Sequence, residues 1–170
     1  LSDFICDKIG EETNGNTLGI RYQDEETGET TVNLGLFSYT DQEMYLNLDI
    51  RYPKNGRKEE VKNHLEQALE SYGLKLLESR SVDMLYIPKD SELIRKLMAV
   101  YQEGTGEVRE PKAIGGGTYA KMFANMAAFG PVFPGDPEVA HQPDERAEIN
   151  QLMKSIGLTA AAMAEMAKSV

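Results

Sequence analysis

The spacing of apolar side chains in this chain changes at Pro88. Before that residue, the segment 44–52 alternates apolar with polar side chains, which is the pattern of a strand with one buried face. After it, apolar side chains within 94–101 recur at the spacing of an amphipathic helix. We therefore expect an α+β fold with a β-rich unit over residues 1–88 and a helix-rich unit over residues 89–170.

The first unit is predicted to be an antiparallel sheet covered by one helix. Strands over 17–23 and 30–38 flank a turn that contains acidic residues and glycine, and residues 74–87 supply another strand region. Apolar residues within 58–72 recur at helical spacing, and Gly73 can end the helix. This helix is expected to lie on one face of the sheet.

The second unit is predicted to contain helices around short strands. A helix that Asp90 or Ser91 can cap extends to Glu103, and the apolar residues 126–129 suit a buried strand. A further helix is expected to begin at Asp144, because carboxylates are stabilised near helix N-termini. The alanine- and methionine-rich C-terminus is expected to form a separate helix. The inner stripe of the helix that begins at Asp144 is predicted to comprise Ile149, Leu152, Met153 and Ile156.

The composition argues against several classes of partner. The net charge is −10 and the pI is about 4.7, with Lys and Arg scattered, so neither nucleic acid nor an anionic membrane surface is expected to bind. The one cysteine, Cys6, allows no intrachain disulfide and no cysteine-based zinc site. No apolar run approaches the roughly 18 residues of a membrane helix. We expect a cytoplasmic protein, and whether it forms homo-oligomers is left open.

Three consecutive glycines, Gly115 to Gly117, are the first feature typical of a binding site. Glycine costs backbone entropy and buries no side chain, so such a run suits a sharp bend or a close approach to a ligand. A tight turn is the structural alternative, and a phosphate is a rival ligand because backbone N–H groups bind anions. No glycine-rich nucleotide-binding motif is present.

The chain contains two histidines, His64 and His141. His64 lies beside the apolar stripe of a predicted helix, and we interpret it as a surface residue. His141 lies in a proline-rich loop, where its imidazole is free to bind a metal, to act in catalysis, or to remain solvated. The residues alone leave these three roles open.

Four segments together resemble one enzyme family. They are LDIRYP at 48–53, GGGTYAK at 115–121, AFGPVFPG at 128–135 and AHQPDE at 140–145. In this order and spacing they are similar to the dipeptidase V type enzymes, which belong to the aminoacylase and carboxypeptidase-like zinc peptidases. The resemblance implies that residues 1–88 are part of a ferredoxin-like lid domain with a covering helix. It also implies that residues 89–170 are the C-terminal α/β portion of the catalytic domain.

The resemblance also implies roles for individual residues. Arg51 would bind the free C-terminal carboxylate of a dipeptide, and His141 would be the last ligand of one of two zinc ions. Lys121 stands where the family often has Arg, so no role is carried over to it. The carboxylate end of the cleft would be lined by Gly115, Gly116, Gly117 and Thr118.

The other zinc ligands and the general-base Glu of such enzymes have no counterpart here. The acidic pair Glu25-Glu26 lies in a predicted hairpin turn, so we interpret it as solvated. We therefore expect this polypeptide alone neither to retain zinc nor to cleave dipeptides by a metal-activated water. Its partners would be the dipeptide and the upstream part of the same protein. The alternative is a stand-alone α/β module that binds a small molecule without a metal.

Overall fold

The computed structural model describes residues 1–82, 84–130 and 132–168. Position 83 in the predicted strand region, position 131 in the AFGPVFPG motif, and the two C-terminal positions of the predicted second unit lie outside the described residues. The fold is α+β, as predicted, with two small antiparallel sheets.

The chain divides into two compact units. The first comprises Leu1–Met84 and Ala113–Gly116, and the second comprises Leu85–Lys112 and Gly117–Val170. The assignment of residues 1–88 to a lid domain and of 89–170 to a catalytic domain stays a prediction.

The first unit begins with helix α1 (Ser2–Phe4), which continues as a π-helical turn over Ile5–Ile9 and ends at Gly10. Strand β1 (Gln23–Asp24) then pairs antiparallel with strand β2 (Gly28–Glu29). The predicted turn between these strands is confirmed.

The predicted strand over 17–23 is wrong except at its end. Residues 16–19 form a turn in which the Gly19 amide donates to the Asn16 carbonyl oxygen at 3.0 Å. Gly19 has φ +71°, a conformation that glycine adopts without steric cost. The turn takes residues 16–19 out of extended conformation, so they cannot pair as a strand.

Strands β3 (Thr31–Tyr39) and β4 (Met44–Arg51) form the main antiparallel pair, with register running from Thr31↔Arg51 to Tyr39↔Met44. Both predicted strands are confirmed. The pair stays two-stranded, so the predicted single sheet is in fact two separate ribbons. Apolar residues near the β3–β4 turn are exposed, Tyr39 by 66%.

Helix α2 (Lys58–Glu70) covers the β3–β4 ribbon, as predicted. Its Val61 belongs to the same buried cluster as Val32 of β3. Burial removes these apolar side chains from water, which stabilises the packing of the helix on the ribbon. The other buried members of this cluster are Phe4, Ile9, Leu18 and Ile20.

The predicted strand region over 74–87 is wrong for the residues that the structure describes there. None of them pairs with another strand, and Leu77 is 86% exposed. A strand needs a partner for its backbone N–H and C=O groups. Within the described chain this segment has none.

The second unit is built on helices α3 (Glu92–Thr105) and α4 (Ile149–Ala167). The predicted cap of α3 is confirmed, since the Ser91 side chain accepts from the Ile94 amide at 3.3 Å. Gly106 ends α3 with φ +75°. The buried residues shared by the two helices are Leu97, Val100 and Ala162.

Three predictions about the C-terminal region are wrong. Helix α4 begins at Ile149 rather than Asp144, and it continues through Gly157 without a break. Its predicted inner stripe is exposed, Ile149 by 76%. With about 100° of rotation per residue, the buried Leu158 and Ala162 lie on the opposite side of the helix from that stripe.

The predicted buried strand over 126–129 is also absent from the described structure, where these residues are exposed or half-buried. A short 3₁₀ turn, Tyr119–Met122, precedes them. Among the described helices, none is long and apolar enough to cross a membrane.

Candidate functional site

The first unit brings Arg51 into contact with Gly115, the first residue of the glycine loop (residues 115–117). Arg51 is the last residue of β4, and its Nη1 donates to the carbonyl oxygen of Gly115 at 2.9 Å. Its Nη2 donates to Asp49 Oδ2 at 3.0 Å, because residues two apart on a strand share a face. Two predicted site residues that are 64 positions apart in sequence are therefore in contact.

The Arg51–Asp49 ion pair is accessible to solvent. Both side chains are about half exposed, so water and salt screen the attraction. The guanidinium carries five N–H donors in a planar fork. The hydrogen bonds to Gly115 and Asp49 use one donor on Nη1 and one on Nη2. The remaining donors can bind a further acceptor.

The glycine loop has an open surface. A Cβ added to Gly115 or Gly116 would meet nothing within 4 Å. None of the three glycines has a positive φ, so a left-handed turn does not explain the run. The open side of the loop is the side to which a ligand has access.

The residues after the loop turn back on it within the second unit. Thr118 is extended, with φ −117°, and its carbonyl oxygen accepts from the Lys121 amide at 3.2 Å. This turn returns the Lys121 side chain toward Gly117, where Nζ lies 3.0 Å from the position of an added Cβ. Thr118 itself is half-buried.

The loop that leads to His141 is anchored by Asp136. Its Oδ2 accepts from the Phe133 amide at 2.9 Å, and its Oδ1 accepts from Gln151 Nε2 of α4 at 3.0 Å. Sequence reasoning missed this anchor. The Pro-Gly-Asp triplet at 134–136 was the available signal, because those residue types favour turns in which Asp binds nearby backbone.

Phe133 fixes the same loop through its ring. It is 6% exposed and stacks on Tyr101 of α3 with ring centres 6.5 Å apart. Lys154 Nζ lies 4.3 Å from the centre of the Phe133 ring, within the range of a cation–π interaction. One aromatic side chain therefore joins the loop to both helices.

His141 is exposed and has φ +60°, and its amide donates to Glu145 Oε2 at 3.2 Å. Asp144 also has a positive φ, +61°. A left-handed conformation costs a residue other than glycine about 1–2 kcal/mol. Such a conformation directs the side chain differently from an ordinary loop residue and motivates a functional hypothesis.

The described residues do not form a zinc site by themselves. No group of three or more His, Cys, Asp or Glu side chains among them could hold one ion. Structural and catalytic zinc takes about four ligands. The donor set around His141 therefore does not fit a bound zinc in this chain alone.

The acidic turn at 24–26 is structural. Asp24 Oδ1 accepts from the amides of Glu26 and Thr27 at 3.0 and 2.9 Å, and Lys54 pairs with Glu26. The amide of Thr27 is the main cause that lowers the pKa of the Asp24 carboxyl. These contacts support the interpretation of Glu25-Glu26 as part of a turn.

Comparison with known proteins agrees with the family resemblance of the four sequence segments 48–53, 115–121, 128–135 and 140–145. Residues 6–165 match the model of peptidase family M20/M25/M40, so the chain belongs to this family. It is 37% identical over 165 residues to a Bacillus subtilis protein named "Putative dipeptidase YtjP", covering 96% of this chain and 35% of that protein.

Two staphylococcal proteins are also similar. "Putative dipeptidase SH1171" of Staphylococcus haemolyticus is 27% identical over 157 residues, covering 92% of this chain and 34% of that protein. "Putative dipeptidase SAUSA300_1697" of Staphylococcus aureus is 26% identical over 145 residues, covering 85% and 31%. The chain spans about a third of the length of these relatives.

Proposed function

We propose that the protein containing this chain is a dipeptidase and that Arg51 binds the C-terminal carboxylate of its substrate. The hydrogen bond from Arg51 Nη1 to Gly115 carries the proposal, because it places the guanidinium at the glycine loop. Family membership and the names of the relatives support hydrolysis of a dipeptide.

Asp49 is an exchangeable partner of Arg51 in this proposal. An exposed ion pair of this kind contributes about 0–1 kcal/mol, so a substrate carboxylate can replace Asp49 at little cost. Arg can form two parallel N–H···O bonds to a carboxylate, whereas Lys offers only a point charge. The fork of Arg51 would therefore select a free C-terminus.

The glycine loop completes the carboxylate end of the substrate site in this proposal. Gly115, Gly116, Gly117 and Thr118 would line it, since the open surface of Gly115 and Gly116 lets a ligand approach the backbone. Glycine at these positions removes the Cβ that would otherwise stand between ligand and main chain.

The hydrolytic chemistry would depend on groups that this chain does not supply. His141 would contribute one imidazole to a site for two zinc ions, and the other ligands and the general-base Glu would lie upstream. The relatives are about three times as long as this chain, which leaves room for those groups. Residues 1–88 would then be part of a lid domain, and 89–170 the end of the catalytic domain, in a cytoplasmic enzyme.

The exposed apolar stripe of α4 supports a contact with the upstream part of the same protein. Ile149, Leu152, Met153 and Ile156 recur at helical spacing, yet none of them is buried. Apolar residues arranged on one helix face normally pack against another element. We propose that the upstream part of the same protein covers them.

The test is kinetic and uses the full-length protein. Arg51→Lys keeps the charge but removes the planar fork, so kcat/KM for a dipeptide should fall by an amount equivalent to about 2 kcal/mol or more. Arg57→Lys is the matched control, because Arg57 is an exposed residue of the same unit that pairs with Glu60. Unchanged kcat/KM for Arg51→Lys would overturn the role of Arg51.

A second candidate is a stand-alone α/β module that binds a small molecule without a metal. It would use the contact between Arg51 and Gly115, which involves no metal. The DNA upstream of the codon for Leu1 distinguishes the two. A reading frame that continues through His-x-Asp and Glu-Glu motifs supports the peptidase, and a start codon there supports the module.

A further inference from the structure

A cavity of about 320 Å³ lies within the second unit, along one face of α3. The helix lines it with four side chains spaced three and four residues apart, Arg95, Met98, Ala99 and Gln102. At about 100° of rotation per residue, this face lies opposite Leu97 and Val100, which are buried in a cluster with Ala162 of α4. Packing between the two helices therefore leaves the cavity face open.

The segment after α3 forms the other wall of the cavity. Gly106 ends the helix with φ +75°, and the chain then returns along α3, because Val108 and Pro111 line the same cavity as Arg95. Every side chain of the lining lies within residues 89–111, so the cavity belongs to one unit.

The lining is cationic in a chain that is acidic overall. Among the described residues it contains Lys89, Arg95 and Arg109, with Glu110 as the one carboxylate. Its net charge is therefore +2, whereas that of the chain is −10. A concave surface lined by one sign of charge attracts counter-ions.

Both arginines can bind an added anion. Within the described chain, Arg95 forms no ion pair with a carboxylate, and Glu92 on the same helix pairs with Lys96 at 2.6 Å instead. Arg109 donates from Nε to Glu107 Oε2 at 3.0 Å, and both side chains are about half exposed. Such an exposed pair contributes little to stability, so a doubly charged anion can replace Glu107.

We propose that this cavity binds an organic phosphate monoester. The phosphate contacts the guanidinium groups of Arg95 and Arg109, whose planar forks match phosphate oxygens. A phosphate monoester carries a charge of about −1.5 to −2 at pH 7, which balances the charge of the lining, whereas a carboxylate carries a single charge.

The remainder of the cavity accommodates the organic part of such a ligand. Small-molecule sites occupy roughly 300–1,000 Å³, and this cavity lies within that range and exceeds the size of a phosphate group alone. Met98, Val108 and Pro111 give it apolar surface. Val108 is 76% exposed, so an apolar ligand group that covers it removes both surfaces from water.

The test is an NMR titration of the ¹⁵N-labelled 170-residue chain with phenyl phosphate, inorganic phosphate and benzoate. Inorganic phosphate lacks the organic part, and benzoate lacks the second charge. We expect phenyl phosphate to shift the amide signals of Ala99, Gln102 and Arg109 and to bind about tenfold more tightly than either of the others. If inorganic phosphate or benzoate binds as tightly as phenyl phosphate, the proposal is wrong.

The two arginines are tested one at a time. Arg95→Gln and Arg109→Gln each remove one guanidinium and should each lower the affinity for phenyl phosphate about tenfold. Arg146→Gln is the charge-matched control, because Arg146 is an arginine of the same unit outside the lining. All three arginines are exposed, so these substitutions leave the buried core intact. Affinity equal to that of the control in either cavity variant would overturn the site.

Val108→Ser separates the two parts of the ligand. It should weaken binding of phenyl phosphate several-fold and leave binding of inorganic phosphate unchanged, since only phenyl phosphate has a ring to cover Val108. Val132→Ser, at another exposed valine of the same unit, should change neither. Equal losses for both ligands in Val108→Ser would contradict the placement of the ring.

The lining shares no residue with the proposed substrate site. Binding of phenyl phosphate and hydrolysis of dipeptides are therefore separate outcomes, and either can be found without the other.

Discussion

The hydroxyl of Thr30 donates to the carbonyl oxygen of Ile20 at 2.9 Å and accepts from the amide of Tyr22 at 3.0 Å. Thr30 and Ile20 are both 0% exposed, so the Ile20 carbonyl oxygen cannot turn to water instead. This side chain therefore ties the segment before the β1–β2 turn to the start of β3.

Replacing Thr30 by Val keeps the shape and removes the hydroxyl. The Ile20 carbonyl and the Tyr22 amide would lose their partner, which costs about 1–3 kcal/mol for a buried group. Urea unfolding measures the free energy of unfolding of Thr30→Val. Thr31→Val is the control, because Thr31 is exposed on β3 and should change stability by no more than about 0.5 kcal/mol. Equal stability of the two variants would contradict the role of the hydroxyl.

Two glycines within helices are expected to respond differently to Ala. A Cβ on Gly157 in α4 would meet nothing within 4 Å, so Gly157→Ala should gain roughly 0.8–1 kcal/mol of helix propensity. A Cβ on Gly104 in α3 would clash with Leu158 Cδ2, and Leu158 is buried. Overpacking costs about 1–3 kcal/mol, which offsets the gain. Thermal unfolding should find Gly104→Ala less stable than Gly157→Ala, and the reverse order would contradict the close packing.

The loss of folding stability at low pH should depend on Asp24. Its folded-state pKa is lowered mainly by the Thr27 amide, and further by the Thr27 hydroxyl, the Glu26 amide and Lys54. The stability it contributes is present above its unfolded pKa, about 3.9, and is lost as pH falls through the lower folded value. Asp24→Asn should flatten the pH dependence of unfolding below about pH 5.

Asp41→Asn is the control for Asp24→Asn, since Asp41 is exposed near the β3–β4 turn. If the free energy of unfolding falls equally steeply at low pH in Asp24→Asn and in the wild type, groups other than Asp24 cause the pH dependence.

The anchor at Asp136 can be tested by exchanging donor and acceptor. Asp136→Asn can still accept from the Phe133 amide, and the Gln151 amide can rotate to accept from the new Asn, but neither hydrogen bond is then assisted by the carboxylate charge. We expect a loss of about 1.5–3 kcal/mol, the value of a hydrogen bond to a charged group. Adding Gln151→Glu supplies an acceptor for the new amide and should restore most of that loss, as measured by a double-mutant cycle. No recovery in the double variant would mean that the two side chains are not coupled.

Zinc binding provides the sharpest check on the role of His141. We expect the 170-residue chain alone to bind zinc weakly and to cleave no dipeptide, because zinc requires several preorganised ligands. Isothermal titration calorimetry with zinc measures this directly. With the upstream segment added, metal binding and activity should appear, and His141→Ala should abolish both. One tight site per chain that survives His141→Ala would overturn the assignment.

The elements that could be predicted from sequence are those whose pattern is local. Residues 44–51 form a strand because apolar and polar side chains alternate, and 92–105 form a helix because Ser91 caps it and Gly106 ends it. The segment 74–87 had strand-like composition, but a strand also needs a neighbour, which local sequence does not reveal. Contact between Arg51 and Gly115 follows from tertiary folding across 64 positions.

Helix α4 shows why an apolar stripe can mislead. Its pattern identified one apolar face, and the inference that this face is buried within these 170 residues was wrong, because its residues are exposed in the described structure. Periodicity identifies which side chains share a face, and it carries no information about which molecule covers that face. The anchor at Asp136 was missed for a different reason, since Gln151 lies 15 positions away and has no distinctive pattern.

The β3–β4 ribbon has a practical consequence for handling this chain. Along the outer edges of this ribbon, N–H and C=O groups have no further strand as a partner among the described residues, although the Val32 amide donates to the Thr13 carbonyl oxygen at 2.7 Å. Such edges can template pairing with another molecule. Mutual repulsion from a net charge of −10 opposes that encounter. Because dissolved salt screens this repulsion over about 10 Å at 0.1 M, concentrated stocks should remain clear in dilute buffer and grow turbid as salt is raised.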